Sequence, residues 1–311
     1  MKTEPYREAP YLRRGYVLGH PIAHSLSPAL HRAAYDFLGE QNLGYDRRDT
    51  LPDDLPAIMH GVRHPKGTED APYIAGLSVT MPLKTAVIKY CDELSDTARV
   101  TGAVNTVYPR GEKVMGDNTD VIGIVNALRH AGLEPQPFKD SAAIVGGGAT
   151  AISALTALHQ LGYSRVSVYA RSLHKLGSVQ EAADRLGVQL EQISLADLPQ
   201  NLAECGHHPV VSTLPARAAD DWASQLSGLK GASATHRPVL LDVAYNPWPS
   251  VLASAWEANG GTVVSGLEML LYQAVEQVLL FTGRELQPAE LLGLINAMCA
   301  AVDLTPRASV S

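Results

Sequence analysis

Apolar and polar positions along this chain repeat at two spacings: short apolar runs of strand length, and longer Ala- and Leu-rich stretches with helical periodicity. In the first third, residues 16–19 (Tyr-Val-Leu-Gly) predict a strand, and a Pro- and Ser-rich turn leads into a helix over 28–38. Pro28 suits the first helical turn behind Ser27 as N-cap, and Gly39 supplies the stop. Residues 43–49 predict a second strand, 51–60 a helix and 76–80 a strand, after which Pro82 opens another helix that carries Lys84. The segment 63–72 is rich in Pro, Gly and charge and predicts a surface loop.

From residue 141 the pattern turns regular. An apolar strand over 142–145, a glycine turn, a helix to 161 and a strand over 165–170 are the parts of a parallel nucleotide-binding sheet. Apolar runs at 188–193, 209–214, 239–244 and 262–264 supply later strands, and helix-length stretches separate them. The fold class is therefore α/β, with a second sheet domain from about residue 119 to 264. The last long element, 267–281, places Leu267, Leu270, Leu271, Ala274, Val275 and Val278 on one helical face and Met269, Gln273, Glu276 and Leu280 on another. A frayed tail is expected over 305–311.

The 311 residues suffice for two domains. A formal charge of 25 − 32 = −7, with no cluster of Lys or Arg, lacks the electrostatic footprint of a nucleic-acid or anionic-membrane binder. No segment approaches the length of a membrane span, and the amino-terminal residues have no apolar signal region, so a cytoplasmic location is expected. Cys91, Cys205 and Cys299 are scattered, form no CxxC pair, and point to neither a disulfide framework nor a zinc site. His20, His24 and His31 fit no zinc spacing; packing or loop hydrogen bonds are expected of them, and no metal is assigned. His207 and His208 read as an exposed loop pair.

The glycine turn is Gly146-Gly147-Gly148-Ala149-Thr150-Ala151, a G-x-G-x-x-A string between a strand and a helix. Gly146 permits the tight turn, Gly148 lets a pyrophosphate approach, and the helix amino terminus faces the phosphates. An acidic residue about 20 positions on would hold the ribose diol of NAD, but here the second strand ends Ala170-Arg171-Ser172, with Lys175 beyond. Two cations and a hydroxyl at that place favour the 2′-phosphate of NADP.

A second polar set lies mostly in the first half. Ser25 and Ser27 put two hydroxyls on a loop entering a helix, a geometry able to bind a carboxylate. Thr80 and Lys84 follow a strand, Asn105 precedes Thr106, and Asn118-Thr119-Asp120 precedes a helix over 121–129. Surface charge is the alternative reading of Lys84, and helix capping that of Thr119 and Asp120. Together with Gln273 these groups match the needs of a polyhydroxylated acid bound opposite a nicotinamide ring.

At this point the chain resembles the shikimate dehydrogenase family along nearly its whole length. The blocks that carry the likeness are Gly-His-Pro-Ile-Ala-His-Ser-Leu-Ser-Pro-Ala-Leu-His at 19–31, Val-Thr-Met-Pro-Leu-Lys at 79–84, Gly-Ala-Val-Asn-Thr at 102–106 and Asn-Thr-Asp at 118–120. The glycine turn, Leu-Asp-Val-Ala-Tyr-Asn-Pro at 241–247 and Gly-Leu-Glu-Met-Leu-Leu-Tyr-Gln at 266–273 complete them. The resemblance implies a substrate-binding α/β domain over 1–118 completed by 265–311, an NADP-binding Rossmann domain over 119–264, and an active site in the cleft between them. It implies that Ser25 and Ser27 bind the carboxylate of shikimate or 3-dehydroshikimate and that Thr80, Lys84, Asn105, Asp120, Tyr245 and Gln273 surround the ring. Lys84 and Asp120 would be the acid-base pair. Gly146, Gly147, Gly148, Ala149, Thr150, Ala170, Arg171, Ser172, Lys175, Val243 and Gly266 would contact NADP.

Four positions depart from the common family pattern: Ser78 stands for Asn, Val121 for Gly, the glycine turn differs in composition, and Ala170 replaces Asn. A quinate/shikimate dehydrogenase using NAD is the nearest alternative, disfavoured by Ser27 and by the missing acid. A catalytically silent shikimate-binding protein is a second, disfavoured by the presence of Lys84 and Asp120. A homodimer stays open as a partner.

Overall fold

The computed structural model describes residues 13–309 except 66–67, 69–71, 134–140, 205, 231 and 233–236. Within these the chain divides into two compact units, the first made of 13–95, 103–117 and 274–309, the second of 96–102 and 118–273.

The first unit is built on a six-stranded sheet of β1 (Arg13–Gly19), β2 (Leu43–Asp49), β3 (Tyr73–Val79), β4 (Glu93–Leu94), β5 (Thr106–Arg110) and β6 (Lys113–Asp117), in the order β2-β1-β3-β5-β6-β4. β1 lies parallel to β2 and β3, whereas β5 runs antiparallel to β3 and β6. The helices Ser27–Leu38 and Leu55–Arg63 connect the parallel strands, as a parallel pairing demands. Residues 274–282 of the helix Gly266–Thr282, and the helix Pro288–Ala300, return to this unit. The Phe281 ring lies where a side chain on Gly76 would be: a Cβ there would meet it at 2.0 Å. Of the tail expected to fray, residues 310–311 lie outside the described residues and Arg307 is anchored, its N donating to Asn296 Oδ1 at 2.6 Å and Asn296 Nδ2 donating to its carbonyl at 3.1 Å.

The second unit holds β7 (Ala142–Val145), β8 (Arg165–Ala170), β9 (Gln189–Ser194), β10 (Val210–Ser212), β11 (Val239–Asp242) and β12 (Thr262–Ser265), in the order β12-β11-β10-β7-β8-β9. Every neighbouring pair is parallel. Counted from its own first strand this is the doubly wound order 3-2-1-4-5-6, whose crevice opens at the carboxyl ends of β7 and β10. Strands covered on both faces must be apolar throughout, which is why Ala-Ala-Ile-Val and Val-Leu-Leu carry no alternation. Trp256 anchors one layer, fully buried with its indole N–H on the Pro238 carbonyl at 2.8 Å.

His207 is not the exposed residue expected from its loop. It is buried, with Nδ1 at 2.7 Å from Ser141 Oγ and Nε2 at 2.7 Å from Tyr169 Oη, because the polar groups at the start of β7 and along β8 need partners there. His208 Nδ1 accepts the first N–H of β11 at 3.0 Å. Cys91 and Cys299 are not joined in a disulfide, and Cys205 lies outside the described residues, as does half of the expected 63–72 loop. Among the described residues no helix is long and apolar enough to cross a membrane.

Candidate active site

The first polar cluster grows from the carboxyl ends of β1 and β3. Just past them, Thr80 N donates to the Leu18 carbonyl at 2.9 Å and His20 N to the Met81 carbonyl at 3.0 Å. A Cβ on Gly19 would meet Thr80 Cγ2 at 2.4 Å and the Met81 carbonyl oxygen at 2.9 Å, so glycine is what lets the two segments lie this close. Ser25 Oγ accepts the Ser27 N–H at 3.3 Å, and Arg47 on β2 grips the Ser25 carbonyl with Nε at 2.8 Å and Nη2 at 2.5 Å. Ser27 is therefore not the N-cap expected. Leu26 holds the cap position, and Ser27, buried, is already helical, because Ser25 rather than Ser27 satisfies the local N–H. His20 does have the loop role expected, with Nδ1 at 2.8 Å from Asp49 Oδ1.

Lys84 does not lie in a helix, contrary to the reading of Pro82. Val87 N closes one helical turn on the Leu83 carbonyl at 3.0 Å, but the Lys84 carbonyl accepts the Val104 N–H at 2.8 Å and Ile88 N turns back to the Thr85 carbonyl at 3.3 Å, so the i→i+4 ladder is not continued. That exchange ties the Lys84 turn to the chain entering β5, where the Asn105 carbonyl accepts the Val79 N–H at 2.7 Å. Ser25, Ser27, Thr80, Lys84 and Asn105 thus all follow or precede strands at the same end of the first unit's sheet, the carboxyl ends of β1 and β3.

In the second unit, Asp120 opens the helix Asp120–His130 and is 5% exposed, its N–H accepted by Asn118 Oδ1 at 3.1 Å. Asn118 is itself held through Nδ2 by Thr101 Oγ1 at 2.9 Å and Ser153 Oγ at 3.2 Å. Thr119 occupies the N-cap position without a capping side-chain bond and reaches Gln273 Oε1 at 3.5 Å. Gln273 is buried where the two helices cross at Gly123, whose Cβ would meet the Met269 carbonyl oxygen at 2.8 Å and Gln273 Cβ at 2.9 Å.

The glycines after β7 have separable reasons. Gly146 has φ +116°, and a Cβ there would strike Thr213 Oγ1 at 2.4 Å. A Cβ on Gly147 would meet Leu176 Cδ2 at 2.4 Å. A Cβ on Gly148, by contrast, would enter open space, although Gly148 is the N-cap of the helix Ala149–Gln160, which has no acidic residue in its first turn. Among the described residues no atom requires that glycine. A space kept clear at a helix amino terminus fits a phosphate group of a dinucleotide. Ala149 and Thr150 form the first turn below it. Past β8, Ala170 is buried, Arg171 and Lys175 are exposed, and the Ser172 carbonyl starts the short turn to Lys175 at 3.1 Å. After β11, a Cβ on Gly266 would lie 2.1 Å from the Val243 carbonyl oxygen, so these two sites are adjacent and Gly266 has a packing reason of its own. Tyr245 follows in the loop that Ser250 pins to Asp242, the hydroxyl donating to Oδ2 at 2.6 Å. Burial raises the pKa of the Asp242 carboxyl, against the lowering effect of that bond.

Residues 17–107 match the shikimate dehydrogenase substrate-binding domain. Over the whole chain, the crystal structure of Mycobacterium tuberculosis shikimate dehydrogenase is similar with a TM-score of 0.78 and 34% sequence identity, covering 94% of this chain and 99% of that one. The chain belongs to the shikimate dehydrogenase family. Shikimate 5-dehydrogenase from Thermus thermophilus, solved in complex with NADP(H) and shikimate, is similar with a TM-score of 0.70 and 28% identity over 93% of this chain and 99% of that one. Among curated proteins, the pentafunctional AROM polypeptide of Komagataella phaffii is 34% identical over 276 residues, which are 87% of this chain but only 17% of that much longer polypeptide.

Within this shikimate dehydrogenase family member, three supporting residues were not singled out from the sequence. Arg47 sits in a strand whose exposed end reads as ordinary charge, Thr213 follows a three-residue strand, and Gln277 lies one helical turn beyond Gln273. Only the Gln273-to-Gln277 spacing, which puts both amides on one helix face, was a usable signal.

Proposed function

We propose that this chain is a shikimate dehydrogenase that reversibly reduces 3-dehydroshikimate to shikimate with NADPH. The observation that carries the reading is the placement of Ser25, Ser27, Thr80, Lys84 and Asn105 at one end of the first unit's sheet in a chain of this family. The first unit takes the substrate, Ser25 and Ser27 meeting its carboxylate and Thr80 and Asn105 its ring oxygens. Asp120, Tyr245 and Gln273 contribute further polar contacts from the second unit. NADP(H), when bound along Gly146 to Thr150, Ala170 to Lys175, Val243 and Gly266, supplies the hydride chemistry. Arg171 and Lys175, with Ser172, recognise the 2′-phosphate, the feature that separates NADP from NAD.

Lys84 and Asp120 carry the acid-base work. In the reducing direction the Lys84 ammonium gives a proton to the substrate oxygen as negative charge develops there, and in the reverse direction the neutral amine takes it back. The Asp120 carboxylate accepts a hydrogen bond from a substrate hydroxyl and balances the ammonium charge. A cytoplasmic location accompanies this reading, and light scattering on the purified protein decides between a monomer and a homodimer.

The test is the initial rate with shikimate or quinate, each with NADP or NAD, on the wild type and Lys84→Ala. Turnover concentrated in the shikimate and NADP pair, reduced about 10²-fold or more in Lys84→Ala with NADPH binding retained, supports the assignment. Activity led by quinate and NAD moves the chain to a quinate/shikimate dehydrogenase, and nucleotide binding without any turnover makes it a silent binding protein.

A further inference from the structure

A chain of buried hydrogen bonds inside the first unit ends on Asn105, and its directions can be worked out from fixed groups. Gln277 Nε2 lies 3.2 Å from the Asn105 carbonyl oxygen, which can only accept, so the amide nitrogen of Gln277 must face that side. The same nitrogen donates to Thr106 Oγ1 at 2.9 Å. Gln277 Oε1 therefore faces the other way, where Ser78 Oγ donates to it at 2.6 Å and is itself the acceptor of the Tyr45 hydroxyl at 2.6 Å. Having accepted from Gln277, the Thr106 hydroxyl passes its own proton to Asn105 Oδ1 at 2.7 Å. Gln277 is 1% exposed, Thr106 0% and Asn105 2%, so water does not compete for these bonds.

We infer that Gln277 is a positioning residue for substrate recognition: acting through Thr106, it fixes the Asn105 carboxamide with its oxygen turned inward and its N–H group turned toward the substrate. The inference rests on the reading that Asn105 meets a substrate ring oxygen. It gives that contact a direction, since the substrate atom opposite Asn105 is required to accept, as a carbonyl or hydroxyl oxygen does. It also gives a reason for Ser78, which departs from the family pattern: its hydroxyl fills the Gln277 end of the network, bridging Tyr45 to the amide oxygen.

A double-mutant cycle on kcat/KM tests this. Gln277→Met is expected to raise the KM for shikimate about tenfold, the scale of one misdirected hydrogen bond, while the KM for NADP stays within about twofold. In an Asn105→Ala background the same Gln277→Met change is expected to cost less than about twofold, because the group it positions is gone. Thr106→Val, which keeps the shape but removes the relay hydroxyl, is expected to show the same KM signature and guards against a Gln277 variant that fails to fold. Multiplicative losses in the cycle, or equal losses in both Michaelis constants, overturn the inference while leaving the functional reading intact. A wild type that neither turns over nor binds shikimate overturns that reading and this inference together.

Discussion

At the scale of single residues, the structure separates glycines that fold the chain from one that leaves room for a ligand. Gly146 is constrained twice, by a positive φ and by Thr213, whereas none of the described residues comes within 4 Å of a Cβ placed on Gly148. Gly146→Ala is therefore expected to lower stability by about 1–3 kcal/mol. Gly148→Ala is expected to cost less than about 1 kcal/mol yet to weaken NADP binding about tenfold or more, because a methyl group enters the space proposed for the pyrophosphate. Chemical denaturation and nucleotide titration of the two variants check the pair, and equal stability losses would remove the distinction. The residue scale is also where sequence reading was least complete. The positions of Ser25, Ser27, Lys84 and Asp120 were legible as polar groups at element ends, but Arg47 and Gln277 were not, since their partners lie 22 and 172 residues away.

At the scale of elements, boundaries followed local signals where those signals had no rival. The strands Leu43–Asp49, Ala142–Val145 and Arg165–Ala170 run as their apolar patterns predict, and Gly39 ends its helix with φ +72°. The Pro82 segment shows the limit: a proline suited to a first helical turn stands there, but the Lys84 carbonyl is taken by Val104, and a long-range bond displaces the helix. The crossing of the helices Asp120–His130 and Gly266–Thr282 depends on the missing side chain of Gly123. Gly123→Ala is expected to destabilise the second unit by about 1–3 kcal/mol through overpacking against a backbone carbonyl. Thermal unfolding measures it, and a variant as stable as the wild type would show that the crossing has slack.

At the scale of the whole molecule, each unit carries its own sheet, and the first hides a histidine at its centre. His31 is fully buried, stacked on Tyr45 at 3.8 Å, with Nδ1 3.1 Å from the Tyr35 hydroxyl. Burial, opposed in part by the hydrogen bond to Gln277, brings its pKa down from 6.5 to about 3. The folded protein thus keeps His31 neutral while the unfolded chain protonates it, so stability is unaffected above pH 6.5 and falls as the pH drops from there toward about 3. The contribution has a limiting slope of about 1.4 kcal/mol per pH unit. Denaturation between pH 7 and 5 is expected to show a steeper loss in the wild type than in His31→Gln, and parallel slopes would refute the assignment.

The sequence by itself determined the α/β class, the parallel sheet of the second unit, the glycine turn and the polar residues at the ends of strands and helices. These are properties of local spacing: apolar runs set strands, helical periodicity sets helices, and glycine or proline sets the turns between them. Only the tertiary structure decided that Ser25, not Ser27, satisfies the loop N–H, that Lys84 sits in a turn, and that His207 is buried. It also decided that Asn105 is oriented from Gln277, 172 residues further along the chain. In each case a buried donor or acceptor had to find its partner, and the nearest one in space was distant in sequence or outweighed the local preference.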